Sequence, residues 1–128
     1  MMRGMNSPPT LSVVTVYGIP NCDAVKKARA WLVDQAVDHV FVDFKKHGVP
    51  GDQLPRWIAA LGWDLLLNRK GTTWRKLDDA ARAAVVDATT ASALMLAHPS
   101  VVKRPVVVWR DASVSVGFDA DSFRSHLP

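Results

Sequence analysis

Hydrophobic and polar positions follow two different rhythms along this chain. Val13-Val14-Thr15-Val16 is a β-branched run that predicts a buried strand. From Asp23 to Leu32 the period lengthens, with Ala24, Ala28 and Trp31, and then Val25, Ala28 and Leu32, recurring at helical spacing. Gly18 and Pro20 punctuate the join between the two. Strand character returns at His39-Val40-Phe41-Val42-Asp43-Phe44, so this part predicts a right-handed βαβ unit. Lys45 to Gly51 is a polar break holding Gly48, Pro50 and Gly51.

From there to His98 the pattern is helical. Leu54, Trp57, Ile58 and Leu61 share a face that ends at Gly62. Leu77, Ala81, Ala84, Val85 and Ala88 form a second stripe. Ala91, Leu94 and Met95 begin a third, with Thr89 or Thr90 as its cap and Pro99 soon past its end. The aromatic and methionine positions of this stretch read as core packing rather than a cofactor site. Val106-Val107-Val108-Trp109, a turn at Arg110-Asp111-Ala112-Ser113, and Val114-Ser115-Val116-Gly117-Phe118 predict an antiparallel hairpin. Asp119 then caps a last helix carrying Phe123 and Leu127. The order βαβ, helices, ββα predicts an α/β protein with a mixed sheet, the thioredoxin-like arrangement with a helical insert at about 52–99. The outer strands must share one sheet, so residues 12–128 are expected to form a single domain, with residues 1–11 a flexible leader.

Composition narrows the setting. A chain of 128 residues, 48% of them apolar, suits one domain with its own core. A single cysteine makes no internal disulfide, and the sequence suggests no metal site and no bound cofactor. There is no signal-peptide pattern and no apolar run long enough to span a bilayer. A cytoplasmic protein, monomeric and not bound to membranes, is the expectation. The net charge of +4 invites an anionic partner: a small oxyanion, a glutathione carboxylate or nucleic acid. No basic helix or ladder of stacking aromatics stands out, which argues against direct nucleic-acid recognition.

The chemistry centres on Cys22, placed where a strand ends and a helix begins. Unpaired N–H groups and the helix dipole at such a point favour an anion, so the thiol loses its proton more readily and becomes a nucleophile. Asn21 precedes it. Lys26 lies one helical turn on; it either supports the thiolate or belongs to a solvated helix face with Lys27 and Arg29. Asp23 opposes thiolate formation as a like charge. Arg104-Pro105 opens the third strand. In a thioredoxin-like fold, a cis proline there faces the active-site cysteine, and Arg104 brings a bidentate cation beside the sulfur. Asn68-Arg69-Lys70-Gly71-Thr72-Thr73-Trp74-Arg75-Lys76 either clamps an oxyanion or is an exposed loop pinned by Trp74. A dithiol motif would need cysteine where Val25 stands, so a thiol from outside the chain must resolve Cys22.

Tyr17-Gly18-Ile19-Pro20-Asn21-Cys22-Asp23, Leu66-Leu67-Asn68 with Gly71-Thr72-Thr73-Trp74-Arg75-Lys76-Leu77, and Lys103-Arg104-Pro105 together resemble the arsenate reductase (ArsC-like) family. Its YffB branch, related to the Spx regulators, is the nearest in pattern. The resemblance spans about Val14 to Leu127 and implies a thioredoxin-like fold with a helical insert. It implies that Cys22 is the nucleophile and that Arg104, before Pro105, binds an oxyanion. Arg69 falls one residue from the place of a second arginine, and a third has no counterpart between Arg110 and Arg124. The implied activity is therefore a glutathione-dependent thiol reductase, with glutathione or a glutaredoxin-like protein as the external thiol. Two alternatives are an arsenate reductase using glutathione and glutaredoxin, and an Spx-like regulator that binds RNA polymerase.

Overall fold

In the computed structural model, which describes residues 11–128, one mixed sheet organises the chain. β1 (Val14–Gly18) is parallel to β2 (His39–Asp43) on one side and antiparallel to β3 (Val106–Val108) on the other. β4 (Val114–Val116) pairs antiparallel with β3, giving the order β2-β1-β3-β4. The period of two along β1 divides its residues between two faces. Val14 and Val16 point to the side covered by α1 (Asp23–Asp34) and α8 (Ala120–Ser125), while Tyr17 packs on the opposite side.

On the first side Ala28 and Leu32 of α1 meet Val107, Trp109 and Phe123. The ring of Phe123 stands edge-on to both Trp31 and Trp109, at centroid distances of 5.6 and 4.9 Å. Trp109 donates its indole N–H to Ser115 Oγ at 2.9 Å, which satisfies both buried groups. The second side holds the insert. Trp57, fully buried on α3 (Leu54–Leu61), packs edge-on to Tyr17 at 4.9 Å and against Phe44.

The insert is helical, as expected, and its elements are short: α2 (Phe44–His47), α3, α4 (Trp63–Leu66), α5 (Thr72–Lys76), α6 (Asp79–Ala83) and α7 (Ala88–Ala97). The polar break after β2 thus holds a helical turn, capped by the Asp43 side chain, which accepts from the Lys45 N–H. The stripe from Leu77 to Ala88 does not form one helix. It divides at Val85-Val86-Asp87, where the Val86 and Asp87 N–H groups turn to donate to Thr90 Oγ1. Asp87, not Thr89 or Thr90, is the N-cap of α7; its carboxylate accepts from the Thr90 N–H in a reciprocal capping box. A carboxylate also opposes the positive end of the helix, which a hydroxyl does not.

A 3-10 turn at Pro99–Val101 returns the chain to the sheet. There Leu67 bridges Val102, the Lys103 N–H donates to Leu66 O at 2.7 Å, and the Asn68 N–H donates to Val101 O at 2.8 Å. The insert is thereby fastened to the residues just before Arg104. Residues 1–10 of the expected leader lie outside the described residues. Leu11, the last of that leader, is tied to Arg110 in the turn after β3: its N–H donates to Arg110 O at 2.6 Å and its carbonyl accepts from the side-chain Nε of Arg110. No helix among the described residues is long and apolar enough to cross a membrane.

Candidate active site at the start of α1

β1 and β2 end, and β3 begins, at the same edge of the sheet, because β1 is parallel to β2 and antiparallel to β3. That topology brings Cys22 and Arg104 together across 82 positions of sequence. Cys22 is the N-cap of α1, with extended backbone (φ −141°, ψ 124°), and its carbonyl accepts the first intrahelical bond from the Lys26 N–H at 2.9 Å. Its side chain makes no capping hydrogen bond. In the position usually held by Ser or Asp, a thiolate is the acceptor that the first-turn amides favour.

The balance on the sulfur is legible. Partial burial pushes the Cys22 thiol up, but the Val25 amide, the hydrogen bond and charge of Arg104, and the Ala24 amide outweigh it. The thiol is held below its ordinary value. Arg104 is itself fixed by backbone: Nη1 donates to Ser100 O at 2.9 Å and to Val102 O at 3.3 Å. Its Nε is buried without a hydrogen-bond partner among the described residues, and its guanidinium is close enough to the sulfur to favour the thiolate by hydrogen bond and charge. The Arg104-Pro105 bond is cis, Pro105 is buried, and its carbonyl accepts from the Gly117 N–H.

The remaining expected residues separate. Asn21 is exposed on the loop that leads into Cys22. Lys26 is exposed and is not among the groups that shift the thiol; it lines a groove along α1 instead. Arg69 forms an ion pair with Asp64 at 2.6 Å and lies 5.8 Å from the ring centroids of both Trp63 and Trp74. Its loop is a local structure. Asn68 Oδ1 accepts from the Lys70 N–H, and a Cβ on Gly71 would lie 2.8 Å from Asn68 Nδ2, so the Asn68 amide would have to shift to admit one. Trp74 of α5 is partly buried and packs against the core.

Several contributors escape a sequence reading. The Ser100 and Val102 carbonyls that hold Arg104 are main-chain groups and leave no compositional trace. Val25 attracts notice only as a missing second cysteine, yet its amide is the largest of the groups that favour the thiolate. Its position three residues into a helix capped by cysteine is the signal that identifies it. Tyr17, also at this end of the sheet, has its hydroxyl pushed up by burial and then by the Asp52 carboxylate, so it stays neutral. The described residues contain no cluster of His, Cys, Asp or Glu suited to a metal ion. Two cavities stand out, and Cys22 lines neither; the larger, about 720 Å3, lies at the far end of the sheet around Trp109, Arg110 and His126.

The geometry agrees with what comparison finds. The ArsC family model matches residues 17–126. A solved YFFB protein is 44% identical, with a TM-score of 0.83, over 91% of this chain and 100% of its own. The solved arsenate reductase (ArsC) related protein from Brucella melitensis is 47% identical, with a TM-score of 0.69, over 92% of this chain and 97% of its own. The global transcriptional regulator Spx of Streptococcus pyogenes is 27% identical over 90% of this chain and 85% of that protein.

Proposed function

This chain belongs to the ArsC family, and on that premise we propose that it is a cytoplasmic, monomeric thiol reductase in which Cys22 is the nucleophile and glutathione or a glutaredoxin-like protein is the resolving thiol. The observation that carries this reading is the thiol held low at the start of α1, beside an arginine that main-chain carbonyls fix in place. The Cys22 thiolate attacks one sulfur of a mixed disulfide between glutathione and a substrate thiol. A sulfur–sulfur bond forms to Cys22, the substrate sulfur leaves as a thiolate, and Arg104 offers its charge to the anionic group beside it. Glutathione then attacks the Cys22 mixed disulfide, releasing oxidised glutathione and regenerating the thiolate. Each turnover reduces one mixed disulfide and oxidises one added glutathione. With Val25 in place of a second cysteine, no internal resolution competes.

The test is the pH-dependent rate at which Cys22 forms a mixed disulfide with oxidised glutathione, followed by intact mass. The expected rate is already on its plateau near neutral pH and absent in Cys22→Ser. A rate that rises only near the pKa of a free thiol, about 8.5, would make Cys22 unactivated and overturn the reading. Arsenate reduction from the same nucleophile is the narrower alternative, with fewer arginines to hold the oxyanion because Arg69 is engaged by Asp64. Arsenate turnover with glutathione and glutaredoxin that vanishes in Cys22→Ser is its signature.

The relatives named Spx favour a second reading from a different class, a regulator that binds RNA polymerase. The absence of a second cysteine at Val25 argues against a dithiol switch in that role. Failure of the purified protein to retain any polymerase subunit from lysate removes this reading.

A further inference from the structure

An open groove of about 470 Å3 runs along α1, lined by Pro20, Val25, Lys26, Arg29, Val33 and His39 among others. One end reaches the neighbours of the thiol: Pro20 belongs to the loop entering Cys22, and Val25 is the residue whose amide contributes most to holding the thiol low. From Val25 to Val33 the helix rises about 12 Å, the length of about four residues of extended chain. Its floor carries apolar surface that the fold leaves uncovered, with Val33 69% exposed. Its walls are basic. Lys26 and Arg29 make no salt bridge with any described residue, and the Arg29 guanidinium lies 4.5 Å from the centroid of the Phe41 ring. His39 Nδ1 bonds the Val37 carbonyl at 3.1 Å, so that nitrogen carries the proton and Nε2 is left for a partner.

The far side of the groove is β2, an edge strand paired only with β1 among the described residues. An edge strand offers alternating N–H and C=O groups to an added strand. We propose that this groove receives an extended, acidic segment of the protein whose thiol or disulfide Cys22 exchanges with. The inference rests on the thiol-exchange reading above and adds the class of partner. Carboxylates at alternate positions of an extended chain stand about 7 Å apart, a spacing that matches cations at i and i+3 on a helix face. Ala30 and Val33 lie on the same helix face as the two cations, so they meet the methylene stems of those acidic side chains, while the intervening residues point to the opposite face. The combination of an apolar floor and a free strand edge fits a polypeptide better than a phosphate backbone, which needs the cations but neither of these.

The probe is a fluorescein-labelled peptide with glutamate alternating with valine over five residues, read by anisotropy at low salt. Its counterparts carry glutamine or lysine in place of glutamate. The glutamate peptide should bind in a salt-sensitive manner, with the lysine peptide inert. Affinity should fall at least tenfold in Arg29→Glu and clearly in Val33→Asp, two exposed positions whose fold is checked by circular dichroism. Absence of binding, or equal affinity in both variants, overturns the proposal. So does tighter binding of a thymidine oligonucleotide that Arg29→Glu abolishes. A parallel arm measures Cys22 exchange with a small neutral disulfide and with the glutamate and glutamine peptides carrying a terminal mixed disulfide. No reaction with the neutral disulfide defeats the thiol-exchange reading, while the anisotropy still decides the groove. Reaction without preference for the glutamate peptide defeats the groove alone.

Discussion

A methyl group built on Gly18 would lie 2.7 Å from Val25 Cγ2. The glycine is required for close approach and not for a left-handed turn, because its φ is ordinary. The last residue of β1 and the first turn of α1 therefore touch, and the residue that touches is the one whose amide favours the thiolate most.

Gly18→Ala is expected to displace Val25 and, with it, the amide over the sulfur. Overpacking of this kind costs about 1–3 kcal/mol, read by urea denaturation. The pH midpoint of Cys22 alkylation should move up in the same variant. A stable protein with an unchanged midpoint would show that the helix start yields without consequence for the thiol.

Arg104 contributes both a hydrogen bond and charge to the thiolate. Since the folded protein holds the thiol below its ordinary value, ionisation stabilises the fold above the unfolded thiol pKa. That contribution is lost as pH falls through the folded value. Arg104→Ala should raise the midpoint of iodoacetamide alkylation and slow reaction with oxidised glutathione more than with a neutral disulfide. Equal slowing with both reagents would leave Arg104 with no part in anion recognition. Arg104→Lys keeps the charge but loses the fork, and should fall between the two proteins.

Arg69 is engaged by Asp64 and by the faces of Trp63 and Trp74. Arg69→Ala is expected to lower stability by about 0.5–1 kcal/mol, the scale of an exposed ion pair with cation–π contact. The rate of Cys22 with oxidised glutathione should be unchanged. A drop of an order of magnitude in that rate would instead mean that Arg69 leaves Asp64 to reach the reacting anion.

The Trp109–Ser115 hydrogen bond is buried between α8 and the sheet, far from the thiol in function. Ser115→Ala strands an indole N–H and should cost about 1–3 kcal/mol in urea denaturation. The pH midpoint of Cys22 should stay in place, which separates global stability from the tuning of the site. Movement of that midpoint would show that the packing around α8 is coupled to the start of α1.

Much of the architecture is written in periodicity. The change from period two to helical spacing at Gly18-Pro20 predicts both the end of β1 and the start of α1, and so the position of Cys22 as cap. The valine runs at Val106 and Val114 predict the hairpin, and Asp119 caps α8 as its type suggests. These are local effects, in which a residue's own backbone preference and burial decide the outcome. The insert is less legible for the same reason: short helices such as α4 and α5 have too few residues to show a stripe, and the division at Asp87 depends on which of two neighbouring caps wins.

Sequence alone determines that one cysteine stands at a strand–helix junction without an internal partner, in a chain with the residues for a mixed sheet. Only the tertiary structure decides what surrounds the sulfur. Strand order brings Arg104 to Cys22, main-chain carbonyls aim it, and Asp64 holds Arg69 in a separate pair. A thiol's acidity depends on fields and hydrogen bonds over a few ångströms, and those distances are fixed by residues far apart in sequence that the sheet makes neighbours.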